Sequence, residues 1–201
     1  MDKFIVSVAD ETHLAYANDI SQLIEESAKK RGTGIAKRTP EYILSKMVEG
    51  RAIIALHKNK KLAGFCYIES WEHNKYVANS GLVVNPEFRN LGLAQAFKSR
   101  AFKLSKKLFP QAKLFGLTTS LAVMKINSDL GYRPVTFSKL TTDESFWKGC
   151  SSCVNYEILQ SKNQEHCLCT GMLYDPEEKR RRWEQKTKKV RETISVWKKK
   201  V

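Results

Sequence analysis

Residues 82–94 read Leu82-Val83-Val84-Asn85-Pro86-Glu87-Phe88-Arg89-Asn90-Leu91-Gly92-Leu93-Ala94. The apolar, β-branched run ends at Asn85-Pro86, a pair that halts a strand and opens a turn. Beyond Gly92, the residues Leu93, Ala94, Ala96, Phe97, Ala101, Phe102 and Leu104 recur at helical spacing. The unit is strand, tight loop, helix. A helix entered from a small-residue loop leaves its first backbone N–H groups without intrahelical partners, aimed outward at the positive end of the dipole. That arrangement suits a phosphate or pyrophosphate. The loop has neither the Gly-x-x-x-x-Gly-Lys-Ser/Thr of an ATP phosphate loop nor the Gly-x-Gly-x-x-Gly of a dinucleotide loop.

The string Arg89-Asn90-Leu91-Gly92-Leu93-Ala94 instead resembles the Arg/Gln-x-x-Gly-x-Gly/Ala signature of the GNAT superfamily, the acetyl-CoA-dependent N-acyltransferases. Val84-Asn85-Pro86 is similar to what that family carries at the end of its fourth strand. The resemblance implies that the amides of residues 89–94 hold the pyrophosphate of coenzyme A. It also implies that Leu82, Val83 and Val84 lie on a splayed strand that pairs with the pantetheine arm, with the N–H of Val83 or Val84 serving the oxyanion. Acetyl-CoA is then the cosubstrate.

GNAT domains resemble a β-α-α-β-β-β-α-β-α-β string, and the chain reads that way. Phe4 to Val8 is a short apolar strand, and Leu14, Ala17, Ile20, Leu23, Ile24 and Ala28 follow at helical spacing behind Asp10 as N-cap. Thr39-Pro40-Glu41 opens a second helix with Pro at its start, which stops at Gly50. Ala52 to His57 and Leu62 to Trp71 are strands flanking the polar connection Lys58-Asn59-Lys60-Lys61, and Tyr76 to Val84 is the fourth strand. After the loop helix come a strand over Lys113 to Thr118, a short helix over Leu121 to Leu130 ended by Gly131, and a last strand over Tyr132 to Leu140. The predicted fold is α/β (α+β), a mixed central sheet flanked by helices. The predicted organisation is a GNAT-like domain over residues 1–140, a Cys-rich extension over 141–175 and a basic amphipathic helix over 176–201.

Asp129-Leu130-Gly131-Tyr132-Arg133-Pro134 resembles the Lys-Leu-Gly-Phe-x-x close of the family's next helix. Many relatives place a Tyr four residues before that Gly to protonate the departing thiolate, and Asn127 stands at that catalytic position here. A different acid, or water, must serve. Ser120 replaces the Asn that often starts this helix.

With 201 residues and a hydrophobic fraction of 42 %, the chain is long enough for one sizeable core of ordinary soluble composition. No stretch is long and apolar enough to span a membrane and the N-terminus shows no signal-peptide profile, so a cytoplasmic location is expected. Formal net charge is +14, which favours anionic partners, the phosphates of coenzyme A among them. Much of it falls late in the chain, from Lys179 to Lys200, where Trp183, Val190, Ile194, Trp197 and Val201 trace a narrow apolar stripe on a basic helix. That helix is expected to dock on the domain or on a second copy in a homodimer. Nucleic acid is the second possibility for it, and a membrane surface is disfavoured by the narrow apolar face.

Four of the five cysteines form Cys150-Ser-Ser-Cys153 and Cys167-Leu-Cys169. Without an export signal, two close thiol pairs suggest four ligands for one structural zinc, pinning an extension with few large apolar groups of its own. A reduced thiol pocket and a redox pair are the other readings.

Acetyl transfer from a thioester to an amine needs a proton acceptor for the amine, a donor for the oxyanion and a proton for the thiolate. Glu69 and Glu72, at the end of the third strand, are the candidate bases. The favoured acceptor is an amino acid or small metabolite of the glutamate or ornithine type, whose carboxylate needs a cation such as Arg133, Arg51 or Lys148. A protein or peptide amine is one alternative; a non-catalytic nucleic-acid or scaffold module with a degenerate core is the other.

Overall fold

The computed structural model describes residues 3–31, 37–178 and, beyond these, 180, 181, 183–185, 187, 188 and 190. Seven strands form one mixed sheet in the order β1-β2-β3-β4-β5-β7-β6. They are β1 (Phe4–Val8), β2 (Ala52–His57), β3 (Leu62–Trp71), β4 (Tyr76–Val84), β5 (Lys113–Thr118), β6 (Arg133–Val135) and β7 (Thr170–Tyr174). The helices are α1 (Ala17–Arg31), α2 (Pro40–Val48), α3 (Leu93–Leu108), α4 (Leu121–Asp129), α5 (Glu144–Lys148) and α6 (Tyr156–Ser161).

Local chemistry sets the helix ends. Asp10 caps a 3₁₀ segment, Glu11–Tyr16, through the Thr12 amide, and that segment runs into α1. Thr39 Oγ1 accepts from the Tyr42 amide with Pro40 in the first turn of α2. Ser120 Oγ accepts from the Val123 amide to start α4.

Alternation along the strands divides the core between the two faces of the sheet. Ile54, Phe65, Tyr67 and Val83 face α1 and α2, where Ile20, Ile24, Ile43 and Met47 are buried. Ile53, Cys66, Ile68, Val77 and Val84 face α3, against Leu93, Phe97 and Ala101.

Two departures from the expected string matter. Tyr132 to Leu140 is not one strand: β6 covers Arg133–Val135 and a 3₁₀ turn, Phe137–Lys139, follows. The 141–175 stretch is also not wholly appended, because Thr170–Tyr174 returns as β7 and pairs antiparallel with both β5 and β6. The extra chain is therefore an excursion over residues 136–169, between two paired strands. It builds an apolar cluster of its own, with Phe137, Leu140, Trp147 and Leu159 buried against Tyr76, Ala78 and Phe115.

The feature that positions the site is a bulge in β4. Phe65 pairs with Val83 and Tyr67 with Ser80, so Gly81 and Leu82 together oppose Cys66. Gly81 takes a φ of +64°, which a side chain would strain, and a Cβ there would run into the Tyr67 ring. The bulge bends β4 away from β5: the parallel pairing holds for Tyr76↔Lys113, Val77↔Leu114 and Ala78↔Phe115, then stops. Beyond Ala78 the two strands diverge and leave a V-shaped gap in the sheet.

Gly81→Ala should therefore lower stability by about 2 kcal/mol or more, from left-handed strain plus the contact with an immobile buried ring. Urea unfolding checks this, and an unchanged midpoint would show that the bulge adapts freely.

Candidate functional site

The open end of the V meets the start of α3, and the loop between is held firmly. Asn85 Oδ1 accepts from the Glu87 amide while its Nδ2 donates to Leu62 O at 3.0 Å. Phe88 stacks on His57 with centroids 5.4 Å apart and packs edge-on against Phe4. Lys61 Nζ pairs with Glu87 at 2.6 Å. Two left-handed residues, Asn90 at φ +62° and Gly92 at +80°, turn the chain into the helix.

Gly92 is the N-cap and no side chain caps the helix. The first helical bond is Ala96 N–H to Gly92 O at 3.1 Å, so the amides of Leu93, Ala94 and Gln95 precede it and are available to an anion. Of the residues the sequence assigns to a phosphate loop and its strand, Leu82, Val84, Arg89, Asn90, Gly92, Leu93 and Ala94 line the cleft. Val83 turns to the other face and packs toward α1 and α2, and Leu91 is exposed.

From this loop a cleft of about 760 Å³ runs along the diverging strands, between Ser80, Gly81 and Leu82 of β4 and Gly116, Leu117 and Thr118 of β5. At its apex Asn79 is buried. Its Nδ2 donates to Ser105 Oγ at 3.0 Å and its Oδ1 accepts from Tyr132 O–H at 2.9 Å, tying β4 to α3 and to the chain after α4. α4 contributes Ala122, Val123 and Ile126 to the wall. Lys98 of α3 also lines the cleft although only 4 % of it is exposed.

The opposite mouth is built around Tyr67, whose ring fills the space left by Gly81. Its hydroxyl accepts from Arg38 Nε at 2.6 Å, and the guanidinium lies 5.1 Å from the Tyr42 ring centroid. Tyr42 O–H donates to Glu69 Oε2 at 2.6 Å, and Lys46 Nζ stands 3.1 Å from Glu69 Oε1. Burial first, then the neighbouring Tyr67 and Glu69, raise the Tyr42 pKa, so the phenol stays protonated and donates. Arg38, Tyr42, Tyr67 and Glu69 all line the cleft. The 136–169 excursion closes the remaining side with Phe146, Cys150, Tyr156 and Leu159, and its Ser152 Oγ accepts from the Lys37 amide at 3.3 Å.

Several expected site residues lie elsewhere. Glu72 is outside the cleft lining and accepts from Thr141 Oγ1 at 2.7 Å and the Thr142 amide at 2.8 Å, so it anchors the excursion. Asn127 is buried, outside the cleft lining, and its Oδ1 has no hydrogen-bond partner among the described residues. Arg51 stands beside Glu49, Arg133 beside Glu178 and Lys148 beside Glu144, and none lines the cleft. The cation at the mouth is Arg38, a residue without periodic or motif signal next to a helix cap.

The expectation of zinc is corrected. Among the described residues no group of three or more His, Cys, Asp or Glu side chains is arranged to hold a metal ion. Cys150, Cys153, Cys167 and Cys169 instead line the excursion's side of the cleft. Burial first, then the nearby thiols of Cys153 and Cys167, push the Cys150 thiol up to about 11. Trp147, packed on Phe137 and donating from Nε1 to Thr141 O at 2.9 Å, gives the excursion an apolar anchor in place of the expected metal. Of the C-terminal stripe, Trp183 and Val190 are exposed, while Ile194, Trp197 and Val201 lie outside the described residues. No helix among the described residues is long and apolar enough to cross a membrane.

No family model matches the chain, and no curated protein sequence matches it. Solved structures do. N-acetylglutamate synthase from Neisseria gonorrhoeae, solved with coenzyme A and N-acetyl-glutamate, superposes with a TM-score of 0.60 at 14 % identity over 86 % of this chain and 35 % of that one. The present chain thus spans about a third of that enzyme's length. A Mycobacterium tuberculosis protein solved with CoA gives a TM-score of 0.61 at 17 % identity, covering 85 % of this chain and 98 % of that one. A GNAT superfamily phosphinothricin acetyltransferase from Sinorhizobium meliloti, in complex with AcCoA, gives 0.59 at 13 % identity over 86 % and 88 %. The fold is that of GNAT acetyltransferases.

The anchoring role of Glu72 has a pH signature. Burial acts to raise its pKa, but the Thr141 and Thr142 hydrogen bonds and Lys75 outweigh it and hold the carboxyl below its ordinary value of 4.5. A depressed folded-state pKa stabilises above the unfolded value and loses that contribution as pH falls through the folded one. Glu72→Gln should thus cost about 1 kcal/mol at pH 7, allowing for partial solvent screening, and much less at pH 3. Equal losses at the two pH values in denaturant titrations would contradict it.

Proposed function

We propose that this protein is an acetyl-CoA-dependent N-acetyltransferase, which moves an acetyl or other short acyl group to the amine of an amino acid or similar small metabolite by direct attack in a ternary complex. One observation carries the reading: the uncapped start of α3 stands at the open end of the gap between β4 and β5. A pyrophosphate placed on the amides of Leu93, Ala94 and Gln95 meets the helix dipole and unpaired donors together. An extended arm entering from there finds β4 edge groups that β5 has released. The AcCoA and CoA complexes of the superposing proteins support this placement.

The acceptor side supports an amino acid. N-acetylglutamate synthase is solved with N-acetyl-glutamate, and here Arg38, whose Nε and Nη1 are held by Tyr67 and by Lys37 O, offers its remaining guanidinium donors and its charge to a carboxylate. Glu69 is the base of this reading: it lines the cleft beside Arg38, whereas Glu72 does not. An amine of ordinary pKa near ~10.4 arrives charged at pH 7 and must lose a proton before attack. The Tyr42 hydroxyl and Lys46 fix the Glu69 carboxylate in one orientation. Asn127, buried behind the wall, leaves the thiolate's proton to water or the thiolate free to leave as an anion.

Gln95→Glu tests the donor half. The change is isosteric, and an acid in the first turn of a helix favours folding, yet it sets a carboxylate where the pyrophosphate would lie. Calorimetry should show CoA binding weakened about tenfold or more with stability unchanged or raised; equal affinity would remove the phosphate from this loop.

For the acceptor half, Glu69→Gln should lower turnover about 10²-fold while CoA affinity stays the same, the usual scale for a positioned base. Unaltered turnover in acetyl transfer to amino acids would send the proton elsewhere.

A further inference from the structure

Lys98 is a buried cation that the acetyl-transfer reading does not use. It lies in the second turn of α3, is 4 % exposed, and lines the cleft. No hydrogen bond or ion pair joins it to another described residue; Cys66, its electrostatic neighbour, is a fully buried thiol. Its Nζ lies at the apex of the V, 4.0 Å from where a Cβ on Gly116 would stand, one residue beyond the last β4–β5 rung at Ala78↔Phe115. An unpaired ammonium inside a protein is costly, and a bound counter-charge offsets that cost. Burial lowers its pKa to about 8, so at pH 7 most of it remains charged.

Position decides which ligand. On the proposed donor placement, which this inference rests on, the pyrophosphate sits at Leu93–Gln95 and the arm follows β4 inward. From Val84 back to Asn79 is five residues of strand, about 17 Å at the usual rise. On this placement the acyl group arrives at the apex, and the oxyanion donor is β4 backbone near Asn79 rather than the Val83 or Val84 N–H expected from the sequence. A methyl group there leaves the ammonium unpaired; an acyl chain ending in a carboxylate neutralises it. We propose that Lys98 is a specificity residue that recognises the terminal carboxylate of a dicarboxylic acyl donor, of the succinyl-CoA class, at the closed end of the cleft.

The test is calorimetric titration of the full-length chain at pH 7 with acetyl-CoA and with succinyl-CoA, for the wild type, Lys98→Met and Lys98→Gln. The wild type should bind succinyl-CoA about tenfold or more tightly than acetyl-CoA, the scale of one charge-assisted hydrogen bond. Both variants should lose that preference. Lys98→Met, which removes an unpaired buried charge, should melt at or above the wild-type temperature without ligand. A wild type indifferent to the acyl carboxylate, a preference that survives in both variants, or a Lys98→Met protein that fails to fold would each overturn the proposal. Binding of acetyl-CoA with no preference refutes Lys98 alone; binding of neither ester refutes the donor site itself.

Discussion

One extra residue in β4 organises this molecule. A β-sheet pairs strands at fixed register, so the two residues Gly81 and Leu82 opposite the single Cys66 force β4 to bend. Because β4 stays paired with β3 through Val84, the bend is taken up on its other side, where pairing with β5 ends at Ala78. The gap that results is the cleft. The same bulge makes room for the Tyr67 ring, and Tyr67 in turn holds Arg38 by its hydroxyl. A single backbone irregularity thus couples the gap between β4 and β5 to the Arg38 cation at the mouth of the cleft.

The cleft's charges are laid out by the elements that carry them. Arg89 and the α3 amides stand at one end, Arg38 and Glu69 at the other, and Lys98 at the apex. The 136–169 excursion completes the enclosure and is stitched down at two places: Glu72 receives Thr141 and Thr142, and Ser152 receives the Lys37 amide. The β3–β4 turn can hold Glu72 there because Glu72, His73 and Asn74 all take left-handed φ values, of 48°, 52° and 66°. The cleft that results has a volume of about 760 Å³.

Much of this was legible in residues. Five strands carry the boundaries expected from their apolar runs, from Phe4–Val8 to Lys113–Thr118, because each apolar run ends at polar or turn-forming residues. The tight loop at 89–94 and the helix after it were legible because the stop at Asn85-Pro86 and the helical spacing from Leu93 onward are local signals. What escaped depends on long-range packing. Thr170–Tyr174 is too short and too far from β5 in sequence to be read as a central strand. Arg38 and Lys98 reach the cleft through tertiary packing: an Arg beside a helix cap and a Lys on an amphipathic helix both read as solvated charges. Glu72 and Glu69 share one strand end, and which faces the cleft was decided by the turn that follows. The cysteine pairs suggested a metal because the apolar contribution of Phe137, Leu140 and Trp147 becomes visible once the excursion folds onto Phe115 and Tyr76.

The central claim is that the β4–β5 gap and the start of α3 form one coenzyme A site. A crystal structure of the protein grown with CoA tests it most directly. The account predicts pyrophosphate oxygens within about 3 Å of the Leu93, Ala94 and Gln95 amides, with the pantetheine arm between β4 and β5. CoA bound on any other surface, with the cleft holding solvent alone, would contradict it.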